Sequence, residues 1–244
     1  MRKIIQLSIK TLLFLSVMLN LQSYAAISYG AKLCHTAGFT CVKVKRGDTW
    51  EKLAPDLKER DLLERINRMN IEPIPGSTIA IPTDLSNMTI YDASPFPRYI
   101  DPPGAKTIYV SQQALAWGAY DTQGNLVWWG PISPGKAFCS DIHKPCSTPN
   151  GSYYVQWKEG LNCISSQFPV RNKDGSKGGA PMPYCIHFWG GYALHGSTNV
   201  PGYADSHGCV RMFIRDAEWL NQKFIDLPHG NQLGTHIIIS ENTP

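Results

Sequence analysis

Seven cysteines constrain this 244-residue chain more than any other feature: Cys34, Cys41, Cys139, Cys146, Cys163, Cys185 and Cys209. Their meaning depends on the compartment, and the first residues address that. Met1-Arg2-Lys3 opens the chain, an apolar centre runs from Thr11 to Leu21, and Ser23-Tyr24-Ala25 supplies small residues at a cut. This is the layout of a signal peptide over 1–25, and eleven apolar-core residues fall short of the roughly 20 that cross a bilayer. The reading is therefore a secreted chain, with no transmembrane span once the signal is gone. In an exported protein cysteines pair by default. Six cysteines can pair in many ways, and the sequence alone does not choose among them. Proximity suggests Cys34–Cys41, Cys139–Cys146 and Cys163–Cys185, which leaves Cys209 odd. The spacings form no paired C-x-x-C motif, so no metal is expected.

Cleavage after Ala25 would remove Arg2, Lys3 and Lys10 and no acid, so 23 basic against 19 acidic side chains becomes 20 against 19. The basicity belongs mostly to the signal, and nothing remains to drive nucleic-acid binding.

The rest divides by pattern. Residues 26–41 form an N-terminal segment holding Cys34 and Cys41. From 42 to 82 the order reads strand, helix, helix, strand. Val42-Lys43-Val44 alternates, and Asp48 with Glu51 suggests a capping box, with Trp50 and Leu53 facing inward. Pro55 keeps that helix short. Leu62, Ile66 and Met69 give helical spacing from Asp61, Pro73-Ile74-Pro75-Gly76 breaks it, and Thr78-Ile79-Ala80-Ile81 closes as a strand. Residues 83–105 are a Pro-rich connector, semi-rigid if extended. Strands are then predicted at Thr107–Val110, Leu115–Tyr120, Leu126–Trp129, Ser152–Trp157, Tyr184–Phe188, Tyr192–Leu194 and Thr235–Ser240. One helix is predicted from Arg215 to Phe224, burying Ala217, Leu220 and Phe224. Serial short strands indicate a mainly β fold, a barrel or sandwich, over 106–240. Trp117, Trp128, Trp129 and Trp157 read as strand core, and His143, His187, His229 and His236 as surface or strand residues.

The chemistry concentrates late in the chain, in His195-Gly196-Ser197 and Ser206-His207-Gly208-Cys209-Val210-Arg211. A free thiol needs a base and a favourable field to become a nucleophile. His195 and His207 are candidate bases. Gly208 permits a tight turn whose amides, with that of Cys209, suit a developing oxyanion. Arg211 suits a substrate carboxylate. Ser197, Gly196, Ser206, Tyr192 and Trp189 complete the candidate substrate-binding set.

Two resemblances follow from these words. Val44-Lys45-Arg46-Gly47-Asp48-Thr49 and Pro75-Gly76-Ser77-Thr78-Ile79-Ala80-Ile81-Pro82 resemble the two ends of a LysM domain, a βααβ binder of N-acetylglucosamine-containing glycan strands. The His195 and Cys209 motifs, with Ser147-Thr148-Pro149-Asn150-Gly151 and Gly190-Gly191-Tyr192-Ala193-Leu194, resemble the L,D-transpeptidase (YkuD-like) catalytic domain. That resemblance implies a YkuD-like β-sandwich or barrel with one helix after the cysteine motif. Cys209 would be the nucleophile, His195 the base, His207 a pocket residue, and the Gly208 and Cys209 amides the oxyanion hole. The implied substrate is a peptidoglycan stem peptide, with a wall-anchored lipoprotein as one acceptor, no cofactor, and the periplasm as the place of work. Alternatives within the same reading are an L,D-carboxypeptidase or endopeptidase, and a wall-binding protein without catalysis.

Overall fold

The computed structural model describes residues 27–244; the expected signal peptide lies outside the described residues. Near the start, α1 (Tyr29–Leu33) is capped by Ser28, whose hydroxyl accepts the Ala31 N–H. Strand β1 (Phe39–Lys43) pairs antiparallel with β2 (Thr78–Pro82), and between them lie α2 (Trp50–Leu53) and α3 (Leu57–Asn67). The strand–helix–helix–strand order matches expectation, with two local corrections. Thr49, not Asp48, caps α2, because its hydroxyl reaches the Lys52 N–H while the Asp48 carboxylate accepts the Lys45 N–H. Helix α3 begins four residues before Asp61, where Asp56 accepts the Lys58 and Glu59 N–H groups, a cap that outweighs the break at Pro55. Trp50, Leu63, Met69 and Ile79 form this unit's own small core.

The remainder is built on a nine-stranded curled sheet. Its strands are β3 (Thr107–Ser111), β4 (Ala116–Tyr120), β5 (Leu126–Ser133), β8 (Gly151–Tyr154), β9 (Trp157–Lys158), β10 (Ile186–Trp189), β11 (Tyr192–Gly196), β12 (Val210–Met212) and β13 (His236–Ser240). Strands β6 (Phe138–Cys139) and β7 (Lys144–Pro145) form a separate small hairpin. The sheet runs β8-β13-β3-β4-β5-β12-β11-β10-β9. Most pairs are antiparallel; β13–β3 and β11–β12 are parallel. One long predicted strand, Ser152–Trp157, breaks at Val155 into β8 and β9, as Val155 bonds to Thr235 and Gln156 to His187. The chain thus passes from one end of the sheet order to the other. Helix α4 (Ile214–Trp219) and a π-helical turn (Leu220–Phe224) press Ala217, Leu220 and Phe224 into the core with Trp117, Ile132, Val210 and Ile237.

The Pro-rich segment departs from the extended connector expected of it. Phe96 is buried with Trp129, Tyr120 and Leu126, and Ile90, Tyr91 and Ile100 pack around them. Backbone bonds Ile100–Gly124 and Leu126–Arg98 fix it to the β4–β5 turn. Its aromatic and aliphatic residues outweigh its prolines, since burying each contributes roughly 1.5–3 kcal/mol. The three proximity disulfides are formed, and Cys209 is free. Trp117 and Trp129 are core as expected, whereas Trp157 is exposed on the edge strand β9. Among the described residues no helix is long and apolar enough to cross a membrane.

Candidate active site

The parallel pairing of β11 with β12 creates the site. Leu194 faces Val210, His195 faces Arg211 and Gly196 faces Met212. Side chains alternate along a strand, so Leu194, Val210 and Met212 enter the core while His195 and Arg211 share the opposite face. Cys209, two residues before Arg211, shares that face and packs against the cluster that holds Ala193. On β10, His187 is in register with Ala193, and Trp157 on β9 with His187. One row therefore reads Trp157, His187, Ala193, Cys209.

His195 is 7% exposed, and its Nδ1 lies 2.9 Å from the Gly196 carbonyl. A carbonyl can only accept, so Nδ1 carries the proton and Nε2 keeps its lone pair. Gly196 is held in turn by donation from its N–H to Pro183, and a side chain there would collide with Ile214 and the Pro183 carbonyl. Burial pushes the His195 pKa down to about 4; the Gly196 bond opposes this, and the Arg211 charge and His187 add to it. Burial pushes the Cys209 thiol up, and the Ala193 N–H and Arg211 pull it partly back. At neutral pH the thiol and the imidazole are therefore both neutral.

The turn carrying Cys209 is cross-braced. Gly208 has φ +122°, a conformation that favours glycine, and a Cβ there would strike the Tyr192 ring. The Thr148 hydroxyl donates to the Gly208 carbonyl and accepts the Gly135 N–H. Ser206 Oγ donates to the Cys209 carbonyl and accepts the Gly208 N–H at 3.0 Å. The Gly208 amide is thus engaged by Ser206. His207 points to Asp141 at 2.7 Å and packs on Phe168, so it ties the turn to the disulfide-closed hairpin Cys139–Cys146. Ser197 turns its N–H to the Met212 carbonyl, and its hydroxyl accepts from Asn199.

Arg211 is bound to Asp205 at 3.1 Å, and its side chain is one-fifth exposed. Trp189, half exposed, stacks on Tyr192, which covers Gly208. The Trp189–Tyr192 turn also places the Gly191 carbonyl 3.9 Å from Cys209 Sγ. Behind it lies an open groove of about 580 Å³ whose lining includes Tyr153, Tyr154, Phe188, Trp189 and Leu233. Sequence reasoning missed two residues. Thr148 stood inside a motif but its hydroxyl bond to Gly208 spans 60 residues. His187 read as a strand residue because only the β10–β11 register puts it on the site face. Its Nδ1 is buried without a hydrogen-bond partner, and burial pushes its pKa down.

Known proteins resemble this chain in fold and in sequence pattern. A solved L,D-transpeptidase fragment from Xylanimonas cellulosilytica superposes with a TM-score of 0.53 at 20% identity, over 81% of this chain and 97% of that one. A second, from Stackebrandtia nassauensis, gives 0.47 at 18% identity, over 77% and 79%. No curated protein matches the chain in sequence. The family model for the YkuD L,D-transpeptidase catalytic domain matches residues 105–239, more than half of the chain. The chain belongs to the YkuD L,D-transpeptidase catalytic-domain family.

Proposed function

We propose that this is an exported enzyme that uses Cys209 to cleave and re-form amide bonds in peptidoglycan stems. The observation that carries the reading is the single free thiol, set on the same sheet face as a histidine whose tautomer leaves Nε2 able to accept a proton. Cys209 attacks the carbonyl between the third stem residue and the terminal D-Ala. Its proton passes to His195 and on to the departing amine, the C–N bond breaks, and a thioester forms. A second amine then displaces sulfur: a neighbouring stem in a 3→3 crosslink, or a lysine of a wall-anchored lipoprotein. Water in its place makes the reaction a carboxypeptidase step. Thiolate, imidazole and amides supply this chemistry without a cofactor.

The oxyanion role falls to the Cys209 N–H, joined by that of Gly208 if Ser206 releases it. Arg211 is placed to meet a stem carboxylate in exchange for Asp205. Trp189 and Tyr192 offer an aromatic wall to the substrate. The LysM-like unit over 42–82 would hold the enzyme on glycan strands, and the periplasm suits a chain with three disulfides. Mass spectrometry of the mature protein with disaccharide-tetrapeptide tests the core of this. Loss of D-Ala with dimer formation, absent in Cys209→Ala, is expected; no D-Ala release from free, crosslinked or protein-linked stems would overturn it.

A further inference from the structure

Helix α3 ends in a way that ties the N-terminal unit to the catalytic histidine. Arg68 takes the left-handed conformation at φ 59°, unusual for a side chain with a Cβ, and its buried guanidinium donates to the Ala114 carbonyl and lies over Trp129. This reversal sends Met69 and Asn70 along the loop that leaves β11. Met69 bridges to Pro201. Asn70 then makes three bonds to the loop. Its side-chain amide donates to the Ser197 carbonyl at 2.7 Å, its side-chain oxygen accepts the Val200 N–H at 2.8 Å, and its own N–H donates to the Val200 carbonyl at 3.0 Å. Ser197 follows Gly196, the residue whose carbonyl fixes the His195 ring.

We propose that Asn70 is a positioning residue for His195, so that the N-terminal unit supports the catalytic site in addition to any hold on glycan. The Asn70 amide completes the loop as a neighbouring strand would, by offering one donor and one acceptor to a backbone that otherwise turns away from the sheet. Without it the Ser197 carbonyl and the Val200 N–H lose their partners, and the peptide that carries the Gly196 carbonyl keeps only the Ser197 N–H bond to Met212. The His195 ring, seated by the Gly196 carbonyl, then loosens in the buried setting it shares with Arg211 from β12 and with His187 from β10. Because burial is the largest cause of its low pKa, loosening moves that pKa up.

The inference rests on His195 as the base, and the experiment separates the two. Full-length mature protein is assayed for D-Ala release from disaccharide-tetrapeptide across pH, as wild type and as Asn70→Ala, Asn70→Asp, Arg215→Ala and His195→Gln. Asn70→Asp keeps the shape and the acceptor for Val200 but cannot donate to Ser197. Arg215 joins the same two units through Asp61 and Glu64, away from the loop. The expectation is a fall in kcat of about 10- to 100-fold for both Asn70 variants, from misplacement of the base, with KM within about twofold. The acid limb of kcat/KM moves towards the ordinary histidine value, and Arg215→Ala stays within about twofold of wild type. An unchanged acid limb and kcat in folded Asn70→Asp overturns the inference, as does a loss in Arg215→Ala equal to that in Asn70→Ala. Full activity in His195→Gln overturns instead the reading of His195 as base.

Discussion

The Thr148 hydroxyl donates to the Gly208 carbonyl at 2.7 Å and accepts the Gly135 N–H at 2.8 Å, so one buried side chain joins the turn before Cys209 to two other segments. Thr148→Val keeps the shape and removes both bonds. We expect a loss of about 1–3 kcal/mol in stability from the buried groups left unpaired, read by denaturant titration. Activity should fall further than the folded fraction, because the amides beside Cys209 lose their frame.

Ser206 offers a sharper test of the turn. Its hydroxyl holds the Gly208 N–H, a group the proposed oxyanion site needs. Ser206→Ala frees that amide but also releases the Cys209 carbonyl. If organisation of the turn outweighs amide availability, kcat drops by about tenfold or more; a rise in kcat would show that Ser206 restrains the enzyme.

The buried histidine predicts a pH dependence of stability. The His195 pKa is lowered to about 4 in the folded chain, so between about 6.5 and 4 the unfolded chain binds the proton first and stability falls with pH. The full effect is about 3 kcal/mol. Glu64, raised to about 7 by burial, works the other way over part of the same range. The comparison of wild type with His195→Gln isolates the histidine: the stability difference between them should change by about 3 kcal/mol across that window, with wild type losing as the pH drops.

The join between the two units rests on a buried ion pair. Arg65 and Asp216 are both about 1% exposed and meet through two bonds, 2.8 and 2.9 Å long, with the Trp129 carbonyl and the Trp128 ring nitrogen as further partners. Arg65→Ala strands the buried Asp216 and should cost about 3–5 kcal/mol, whereas Asp216→Ala leaves Arg65 bonded to Asp61 and should cost less. The Arg65→Met, Asp216→Leu double variant should recover most of that loss in a thermal melt.

Thiol counting checks the cysteine assignment. Denatured protein without reductant should take up one equivalent of alkylating agent, at Cys209, and seven after reduction. In the native state alkylation at neutral pH should be slow, because burial holds the thiol above the ordinary cysteine range.

Local patterns carried much of this molecule. The strands from Thr107 to Trp129 and the buried face of Ala217, Leu220 and Phe224 were legible because alternation and helical spacing act over a few residues. The free thiol was legible because one cysteine lacked a near partner. What stayed hidden depends on distance along the chain. His187 joins the site only through strand register, Thr148 through a contact 60 residues away, and Asn70 through a loop 127 residues on. The Pro-rich segment misled because proline suggests an extended path, whereas Phe96 and its neighbours had a surface on which to pack. The Gly208 bond to Ser206 was not legible because glycine marks a turn without saying which hydroxyl will fill it.

The parallel strands β11 and β12 set His195 opposite Arg211, and Cys209 immediately precedes β12. Two parallel neighbours cannot be joined by a tight turn; the chain must travel back along the sheet before it runs forward again, a journey of about a dozen residues or more. Here residues 197–209 make that journey, near the minimum length, and pass Asn70 on the way. Evolution can widen this span or repaint its surface, but it cannot trim it without drawing His195 and Cys209 out of the register that sets them on one sheet face.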